Sequence, residues 1–554
     1  MNATVKVNFR DIEVKEYPKG TTLYEVSKDF QQHYNYPILT AKLDNEICDL
    51  SKTLERKCTV DFYDRSSVVG NSVYGCSVQL LMLYAIHELY GPDVDVKIEN
   101  SIDKGVYCET IGFELDKQTL KHIENKMLEI VKQDLRYVKV SVSRFDAMTY
   151  FKRKKKMDKV NVLKYISNTY INLYRLDDFY DYFFSEMAYS TKSVDDFKLT
   201  YLSHNGFVLS YPSIYTPEVT LDYCHRPMIA DTFAEYTKWG NLLGISEASE
   251  LNEIVSLGKY NDVIRLAETH YESQLARISD TISENSNIKI VLLGGPTSSG
   301  KSTTAKKLSV YLQSKGYKTH IISIDDYYLN QEDKISYENN ELDFESLKSI
   351  DVDLFNRHLT KLLSGEKVLL PEFNFSLGKR EYKKKTLQLQ EKDIIIIEGL
   401  HTINEDLTLS VDRKNKFKIY INPFTQLNID RHNRIHTSDT RRLRRIIRDN
   451  KFRDCNVADT LRMWKKIREG EEKYIFPYQN DVDVVINSAL VYEIGVLKTY
   501  AEPLLFSVSE NDEMYPEAIR LINFLRNFLP IPSDEVPKDS ILREFIGGSG
   551  FNQK

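Results

Sequence analysis

Residues 287–303 read NIKIVLLGGPTSSGKST, and this stretch decides the fold of the region around it. Its first half is a short run of branched apolar residues, which predicts a buried strand, and a helical pattern, TAKKLSVYLQSKG, follows it directly. Between the two, residues 295–302 fit the pattern GxxxxGK[ST], whose glycines let backbone N–H groups wrap phosphate oxygens at a helix N-terminus. The sequence therefore predicts an ATP-binding loop made of Gly295, Pro296, Thr297, Ser298, Ser299, Gly300, Lys301, Ser302 and Thr303.

Carboxylates are expected beside this loop, at the ends of the next two predicted strands. THIISIDDYYLN (319–330) carries Asp325 and Asp326, and KDIIIIEGL (392–400) delivers Glu398. Because the carboxyl ends of parallel strands face one crevice, a carboxylate there can bind Mg²⁺ or accept a proton from an attacking hydroxyl. Neighbouring side chains on an extended segment point to opposite sides, so only one of the two aspartates should face the metal. Lys301 is expected at the β- and γ-phosphates, and Mg²⁺ at Ser302, at Glu398 and at one of the two aspartates.

An arginine-dense segment, 431–453, has TRRLRRIIRD at its centre. Four of its arginines have helical spacing and share one face, namely Arg441, Arg444, Arg445 and Arg448. Guanidinium groups on a mobile helix suit the charge that develops on a transferring phosphoryl group, so the segment is interpreted as a lid. A nucleic-acid-binding helix is the alternative.

The rest of the chain divides into four further units. Residues 1–64 alternate strand and turn signals around one helix, which predicts a small β-rich roll, and residues 65–215 mix long helices with strands. Residues 216–285 form a predicted helical connector to the nucleotide-binding domain at 286–500, and 501–554 a C-terminal helical extension. Within that extension, SILREFIGGSGF (540–551) is expected to be a simple surface terminus. The basic run at 152–156 is either a solvated surface segment or an RNA-phosphate patch.

The composition of the chain indicates where the protein is located and which classes of partner it can bind. The 554 residues carry 75 basic and 81 acidic side chains, a net charge of −6, so any polyanion site must be local. The six cysteines are scattered without CxxC pairs, which fits a reducing cytoplasm and neither zinc nor disulfides. The N-terminus lacks an apolar signal region, and no run of about 20 apolar residues is seen. A cytoplasmic protein without membrane contact is expected, and its oligomeric state stays open.

Two resemblances follow from these motifs. Residues 288 to about 490 resemble the uridine kinase and phosphoribulokinase family of P-loop kinases, through GPTSSGKST, SIDDYY, PEFNFSLGKR, IIIIEGL and TRRLRRIIRD. The front half resembles threonyl-tRNA synthetases: PKGTTLYEV is similar to their TGS domain, and IDKGVYCE to their second, editing domain. The whole chain resembles long bacterial nucleoside kinases of the uridine kinase type. The implied fold is a β-grasp unit, an α+β unit and a kinase domain of α/β type, with a parallel sheet and helices on both faces.

The kinase resemblance implies an ATP- and Mg²⁺-dependent transfer to the 5′-hydroxyl of a nucleoside such as uridine or cytidine. The implied catalytic residues are Asp325, Lys301, Arg445 and Arg448, and the implied substrate-binding residues are Tyr328, Phe373, Arg380 and Arg453. Phe373 and Gly378 stand where the family has the tyrosine and histidine that read the pyrimidine, which leaves the acceptor undefined. The early editing positions are Tyr74 and Val78 instead of histidines. The alternatives are a kinase of a sugar phosphate or cofactor precursor, and an RNA- or ribosome-associated nucleotide switch whose front half binds nucleic acid.

Overall fold

The computed structural model describes residues 4–9, 13–330, 345–374, 377–383, 385–425 and 427–551. The first unit is a five-stranded sheet of order β2-β1-β5-β3-β4, with one helix packed on it. Alternate residues of β1 and β5 point into its core, as the alternating sequence predicts. Its elements are β1 (Thr4–Phe9), β2 (Glu13–Pro18), α1 (Leu23–Phe30), β3 (Thr40–Leu43), β4 (Glu46–Cys48) and β5 (Cys58–Tyr63).

The second unit packs two antiparallel sheets around one central helix, α2. This helix is long and apolar enough to cross a membrane by length and composition alone, but 78% of its most apolar window is buried inside the fold. Tyr74 and Val78 lie within it with no exposed surface, and the Tyr74 hydroxyl is hydrogen-bonded to the backbone of Asp196. The elements are α2 (Val68–Tyr90), β6 (Asp95–Ile102), β7 (Gly105–Ile111), α3 (Lys117–Gln133), β8 (Tyr137–Ser143), α4 (Arg144–Arg153), α5 (Met157–Lys164), β9 (Tyr170–Leu176), β10 (Phe179–Asp181), β11 (Lys198–Tyr201) and β12 (Gly206–Ser210).

Three helices follow, and they pack against the next sheet instead of standing apart from it. They are α6 (Pro227–Leu243), α7 (Ala248–Ser256) and α8 (Tyr260–Glu284). Tyr271 and Leu275 of α8 are fully buried in the largest core cluster, and the Tyr271 hydroxyl lies 2.7 Å from Thr304 Oγ1, directly behind the phosphate loop. The predicted connector is therefore part of the core that supports this loop.

A five-stranded, fully parallel sheet of order β14-β19-β13-β20-β21 forms the centre of the C-terminal region. Its strands are buried on both faces: Val291 and Leu293 point to the side covered by α8 and α9, and Ile290 and Leu292 to the side covered by α10. The elements up to the sheet edge are β13 (Ile290–Gly294), α9 (Lys301–Ser314), β14 (Lys318–Ser323), α10 (Val352–Leu363), β15 (Val368–Leu369), β16 (Glu372–Asn374), β17 (Lys379–Glu381), β18 (Thr386–Leu387), β19 (Asp393–Gly399), β20 (Lys416–Asn422), α11 (Thr437–Phe452), α12 (Val457–Tyr474) and β21 (Val484–Asn487). The expected mixed α/β architecture, with a parallel sheet between helices, is confirmed.

The C-terminal elements are α13 (Glu493–Leu505), α14 (Tyr515–Leu525) and α15 (Arg543–Ile546). The expectation of a simple surface terminus at 540–551 is wrong. Ile541, Leu542 and Phe545 have no exposed surface, because their side chains pack into the largest core cluster beside α9 and α11.

A buried ionic network joins the second unit to the C-terminal region. The loop before α11 carries His432, whose Nδ1 and Nε2 lie 2.5 Å from Asp181 and 2.9 Å from Asp95. Lys159 bridges Asp181 and Asp430 at 2.9 Å each. All five side chains are less than a tenth exposed, so these charges are paired instead of solvated.

Candidate functional site

The phosphate loop lies between β13 and α9, as its sequence predicts. It runs from Gly295 to Gly300, and Lys301, Ser302 and Thr303 form the first turn of α9. A Cβ atom at Gly295 would lie 2.1 Å from the carbonyl oxygen of Ile421, so only glycine fits where the loop crosses β20. Gly300 has a φ of 90°, the left-handed conformation that turns the chain into the helix. The N–H groups of the first turn of α9 are thereby placed at the loop.

Lys301 is folded back onto the loop. Its Nζ donates to the carbonyl oxygens of Gly295 and Pro296 at 2.9 Å each, and burial lowers the pKa of the ammonium group. The hydroxyls of Ser298 and Ser299 are buried and have no hydrogen-bond partner among the described residues. Buried hydroxyls of this kind cost free energy unless a ligand satisfies them, and a phosphate oxygen can accept from them.

The predicted carboxylates meet at the carboxyl edge of the sheet. In the strand register Glu398 lies between Ser323 on β14 and Leu293 on β13. Burial, and then the neighbouring Asp325, raise the pKa of Glu398 to about 7. Burial and the charge of Asp326 raise the pKa of Asp325, whereas Lys301 opposes that rise. Asp325, Glu398 and Lys301 thus form one charged cluster at the phosphate loop.

The expected extended segment at Asp325 and Asp326 is wrong. Strand β14 ends at Ser323, and residues Ile324–Tyr327 form a 3₁₀ turn because the chain leaves the sheet there. In this turn the side chains of Asp325 and Asp326 have different partners. Asp325 interacts with Lys301, whereas an Asp326 carboxylate oxygen accepts the backbone N–H of Phe373 at 3.2 Å.

The donor set at this edge fits Mg²⁺. Ser302 is exposed in the first turn of α9, and Asp325 and Glu398 add two carboxylates, so the donors are hard oxygen atoms. After burial, repulsion by the Asp325 charge is the next cause of the raised pKa of Glu398. A divalent cation between them would relieve that repulsion.

The arginines of α11 divide into two sets. Arg445 donates to Thr297 Oγ1 at 2.9 Å, and Arg445, Arg448 and Arg453 all lie within 3.6 Å of the Asp449 carboxylate. Arg448 and Arg453 are also close enough to lower the pKa of Asp325 against the effect of its burial. These three predicted residues therefore border the site, with Asp449 holding them together.

Arg441 and Arg444 are buried instead of facing a ligand. Arg441 forms a two-pronged ion pair with Glu471, and Arg444 Nε donates to Glu493 at 2.7 Å. Each also donates to a phosphate-loop carbonyl oxygen, of Thr297 and Ser298 respectively, at 3.3 Å. The expectation of a mobile lid is wrong for this structure, since α11 is packed in the core through Leu443, Ile446 and Ile447. The helix is a fixed wall that supports the loop.

Tyr328, Phe373 and Arg380, three of the predicted acceptor residues, lie in and beside the turn that carries Asp325 and the β16–β17 hairpin. Tyr328 and Phe373 are both less than a tenth exposed, and their ring centroids are 5.6 Å apart in an edge-to-face arrangement. Arg380 donates to the Asp351 carboxylate at 2.8 Å and so anchors the β16–β17 hairpin to α10. Gly378 lies in the hairpin turn with a φ of 61°. Residues 375 and 376 of the PEFNFSLGKR motif lie outside the described residues.

Three functional residues were missed by the sequence reasoning. Asp449 follows Arg448 directly, so its place next to the arginine cluster could have been inferred from helical spacing. Glu471 and Glu544 touch the phosphate loop and α9, but they come from helices far along the chain and carry no local signal.

Together the parallel sheet, the glycine-bounded loop before α9 and the carboxylates at the neighbouring strand ends define the class of P-loop nucleotide-binding domains. Residues 290–494 match the model of the Phosphoribulokinase / Uridine kinase family. The match lies in the C-terminal region, which is therefore similar to this family, as its motifs predict.

The solved structures that the chain matches include a possible uridine kinase from Bacillus stearothermophilus. It is 20% identical, with a TM-score of 0.26, and the alignment covers 36% of this chain and 89% of that one. Another is the D-glycerate 3-kinase of Cryptococcus neoformans, 17% identical with a TM-score of 0.23, covering 49% of this chain and 89% of the other.

The N-terminal part is similar to threonine–tRNA ligases. The ligase of Desulforamulus reducens is 28% identical over 182 residues, which cover 32% of this chain and 28% of the ligase. That of Finegoldia magna is 29% identical over 196 residues, covering 35% and 31%. The chain thus spans about three tenths of the length of the curated relatives it matches. The predicted resemblance to this family is confirmed.

Proposed function

We propose that the C-terminal region transfers the terminal phosphoryl group of ATP to a hydroxyl of a nucleoside or a similar ribose-bearing metabolite. The observation that carries the proposal is the convergence of Lys301, Asp325 and Glu398 beside the phosphate loop. A loop of this type binds the phosphates of a nucleoside triphosphate, and an adjacent carboxylate can accept the proton of an attacking hydroxyl.

In the proposed reaction Asp325 takes the proton of the acceptor hydroxyl. The acceptor oxygen then bonds to the γ-phosphorus, while the bond from that phosphorus to the bridging oxygen breaks and ADP leaves. The raised pKa of Asp325, caused by burial and by Asp326, makes its carboxylate a stronger base than an exposed aspartate. Lys301 swings from the loop carbonyls to the phosphates, where its charge and those of Arg445 and Arg448 stabilise the transferring group.

Magnesium would be held by Ser302, Asp325 and Glu398. When bound, the ion supplies charge neutralisation to the β- and γ-phosphates. Because Asp325 cannot ligate the ion with the same oxygen lone pair that receives the proton, we assign its second oxygen to proton transfer. Glu398, near the end of β19, has no such second role.

The acceptor is proposed to lie against Tyr328 and Phe373. The two rings supply an apolar wall onto which a base or a sugar face can pack. Arg380 is committed to Asp351, so we propose that it shapes this pocket through the β16–β17 hairpin. A wall of this kind discriminates weakly between acceptors, which keeps a sugar phosphate or a cofactor precursor as an alternative to uridine or cytidine.

Two substitutions test the assignment. Asp325→Asn should lower kcat by about 10²–10⁴-fold, because proton transfer is lost and one Mg²⁺ ligand becomes a neutral amide, while ADP binding to the phosphate loop is retained. Lys301→Ala should weaken both ATP binding and turnover. The matched control is Asp353→Asn, an exposed aspartate in the first turn of α10, which should leave both unchanged. Full turnover in the Asp325 variant would contradict the mechanism.

The front half supports a second proposal, binding of RNA phosphates. Lys152, Arg153 and Lys154 are exposed at the end of α4, whereas Lys155 and Lys156 are paired with Asp93 and Asp95. Replacing the first three by alanine should abolish salt-sensitive binding of a single-stranded RNA probe. RNA affinity that survives this change would exclude the run as the binding surface. We also propose that the protein is located in the cytoplasm and that it can self-associate.

A further inference from the structure

Glu544, from the short helix α15, lies at the phosphate-binding end of α9. One of its carboxylate oxygens accepts the backbone N–H of Thr303 at 3.2 Å and the Thr303 hydroxyl at 2.7 Å. Thr303 is the third residue of α9, directly after the two residues assigned to the phosphates and Mg²⁺. A carboxylate of the chain itself therefore occupies hydrogen-bond donors in the first turn that follows the phosphate loop.

The segment around Glu544, residues 539–546, is fixed at several points, and we refer to it as the strap. Lys307 of α9 donates to the Asp539 carboxylate at 2.9 Å, and Lys451 of α11 donates to the Ile546 carbonyl oxygen at 2.6 Å. The Phe545 ring packs on the Arg444 guanidinium at 5.1 Å. The strap thus spans from α9 to α11, the two helices that border the phosphate loop.

The strap also covers the loop itself. A Cβ atom at Gly300 would lie 2.5 Å from the Ile541 side chain, which shows how closely the strap approaches the last loop residue. Ile541 has no exposed surface. The charge of Glu544 reaches the catalytic cluster, since it raises the pKa values of both Lys301 and Glu398, although burial has a larger effect on each.

A phosphate and the Glu544 carboxylate compete for the same position. The N–H groups in the first turn of a helix after a phosphate loop bind phosphate oxygens, and the helix dipole favours one anion there. Thr303 has a single N–H and a single hydroxyl proton, and both are donated to Glu544. Two anions on one donor would also repel each other strongly at such short range.

We propose that the strap is an internal brake on nucleotide binding, in which Glu544 is a tethered anion that must leave Thr303 before a nucleoside polyphosphate fills the loop. The inference rests on the proposed function, because it takes the loop to be a nucleotide site. Nucleotide affinity is then reduced by the fraction of molecules in which the strap is closed. Anything that releases Glu544 from Thr303 raises the affinity.

Titration calorimetry of the full chain with ADP tests the brake. Glu544→Gln, which keeps the shape of the side chain, and Glu544→Ala should both bind ADP about tenfold more tightly than the unsubstituted chain. Glu535→Ala, an exposed glutamate shortly before the strap, is the matched control and should not change the affinity. Weaker or unchanged binding in both Glu544 variants would overturn the brake and assign Glu544 a supporting role.

Hydrogen exchange supplies a second readout that does not depend on the variants. In the unsubstituted chain, saturating ADP should increase exchange in peptides covering α15, because the strap loses its anchor between Glu544 and Thr303; decreased exchange there would overturn the proposal. The two proposals fail in different ways. ADP binding that is lost in Lys301→Ala but not improved in the Glu544 variants refutes only the brake, whereas no ADP binding in any variant refutes the nucleotide site as well.

Discussion

The buried glutamate behind the phosphate loop gives the sharpest test of how the site is supported. Glu471 has no exposed surface and receives hydrogen bonds from Arg441, from Arg468 at 2.8 Å and from the Thr297 backbone N–H at 3.3 Å. Burial alone would raise the pKa of Glu471, but Arg441 and Arg468 lower it below its usual value. Glu471→Gln therefore leaves the Arg441 guanidinium, itself only 2% exposed, buried without its counter-charge.

Removing one partner of a buried ion pair costs about 3–5 kcal/mol, which corresponds to a fall of about 6–20 °C in the unfolding temperature of a domain of this size. The assay is thermal unfolding followed by near-ultraviolet circular dichroism. The control is Glu469→Gln on the same helix, where the carboxylate is exposed and 4.0 Å from Lys465, and it should shift the transition by less than about 2 °C. Equal unfolding temperatures for the two variants would refute the reasoning.

Replacing both partners separates stability from function. In Arg441→Met/Glu471→Met the buried Arg441 charge is removed together with its partner, and Arg468 keeps its ion pair with Glu472 at 3.3 Å, so most of the lost stability should return. The Thr297 N–H would still lack its acceptor, and the Thr297 carbonyl would still lack the Arg441 donor. ADP affinity, measured by calorimetry, should therefore stay reduced in the double variant even where the fold has recovered. If the double variant regains both the stability and the ADP affinity, the ion pair between Arg441 and Glu471 does not position the loop.

Two pH predictions follow from shifted pKa values. Because the pKa of Glu398 is raised to about 7, Mg²⁺ should bind about tenfold more weakly at pH 6 than at pH 8 in calorimetry, and Glu398→Gln should remove this dependence. Burial opposes the charge of His432, but Asp181 and Asp95 raise its pKa to about 9. Protonated His432 therefore stabilises the fold fully below about pH 6.5, which is the pKa of histidine in an unfolded chain. This stabilisation is lost as the pH rises through 9. His432→Gln should flatten the decline of the unfolding temperature over that interval; an unchanged decline would exclude His432 as its source.

The sequence predicted those parts of the site whose residues are neighbours in the chain or at strand ends. The phosphate loop could be placed because strand, glycine pattern and helix follow one another from residue 287 onward. Glu398 could be placed because parallel strands share an edge. The 3₁₀ turn at Asp325 could not be predicted, since nothing in SIDDYY shows whether the strand continues through Asp325 or ends before it.

The parts that could not be predicted depend on long-range packing. Arg441 and Arg444 share a helical face with Arg445, and the sequence predicted that all three face a ligand. The carboxylate partners of Arg441 and Arg444 lie 30 and 49 residues further along the chain. These ion pairs bury the two arginines, which therefore have a structural role. Glu544 reaches Thr303 across 241 residues. Spacing rules describe single helices, and they carry no information about which helix packs on which.

Transfer of the labelled γ-phosphate of ATP to a panel of nucleosides, sugar phosphates and cofactor precursors tests the central claim most directly. We predict that one class of acceptor becomes labelled in the presence of Mg²⁺, with ADP released in equal amount, and that labelling is lost in Asp325→Asn although ADP still binds. Release of phosphate from ATP without any labelled acceptor, or full labelling in the Asp325→Asn variant, would contradict the account.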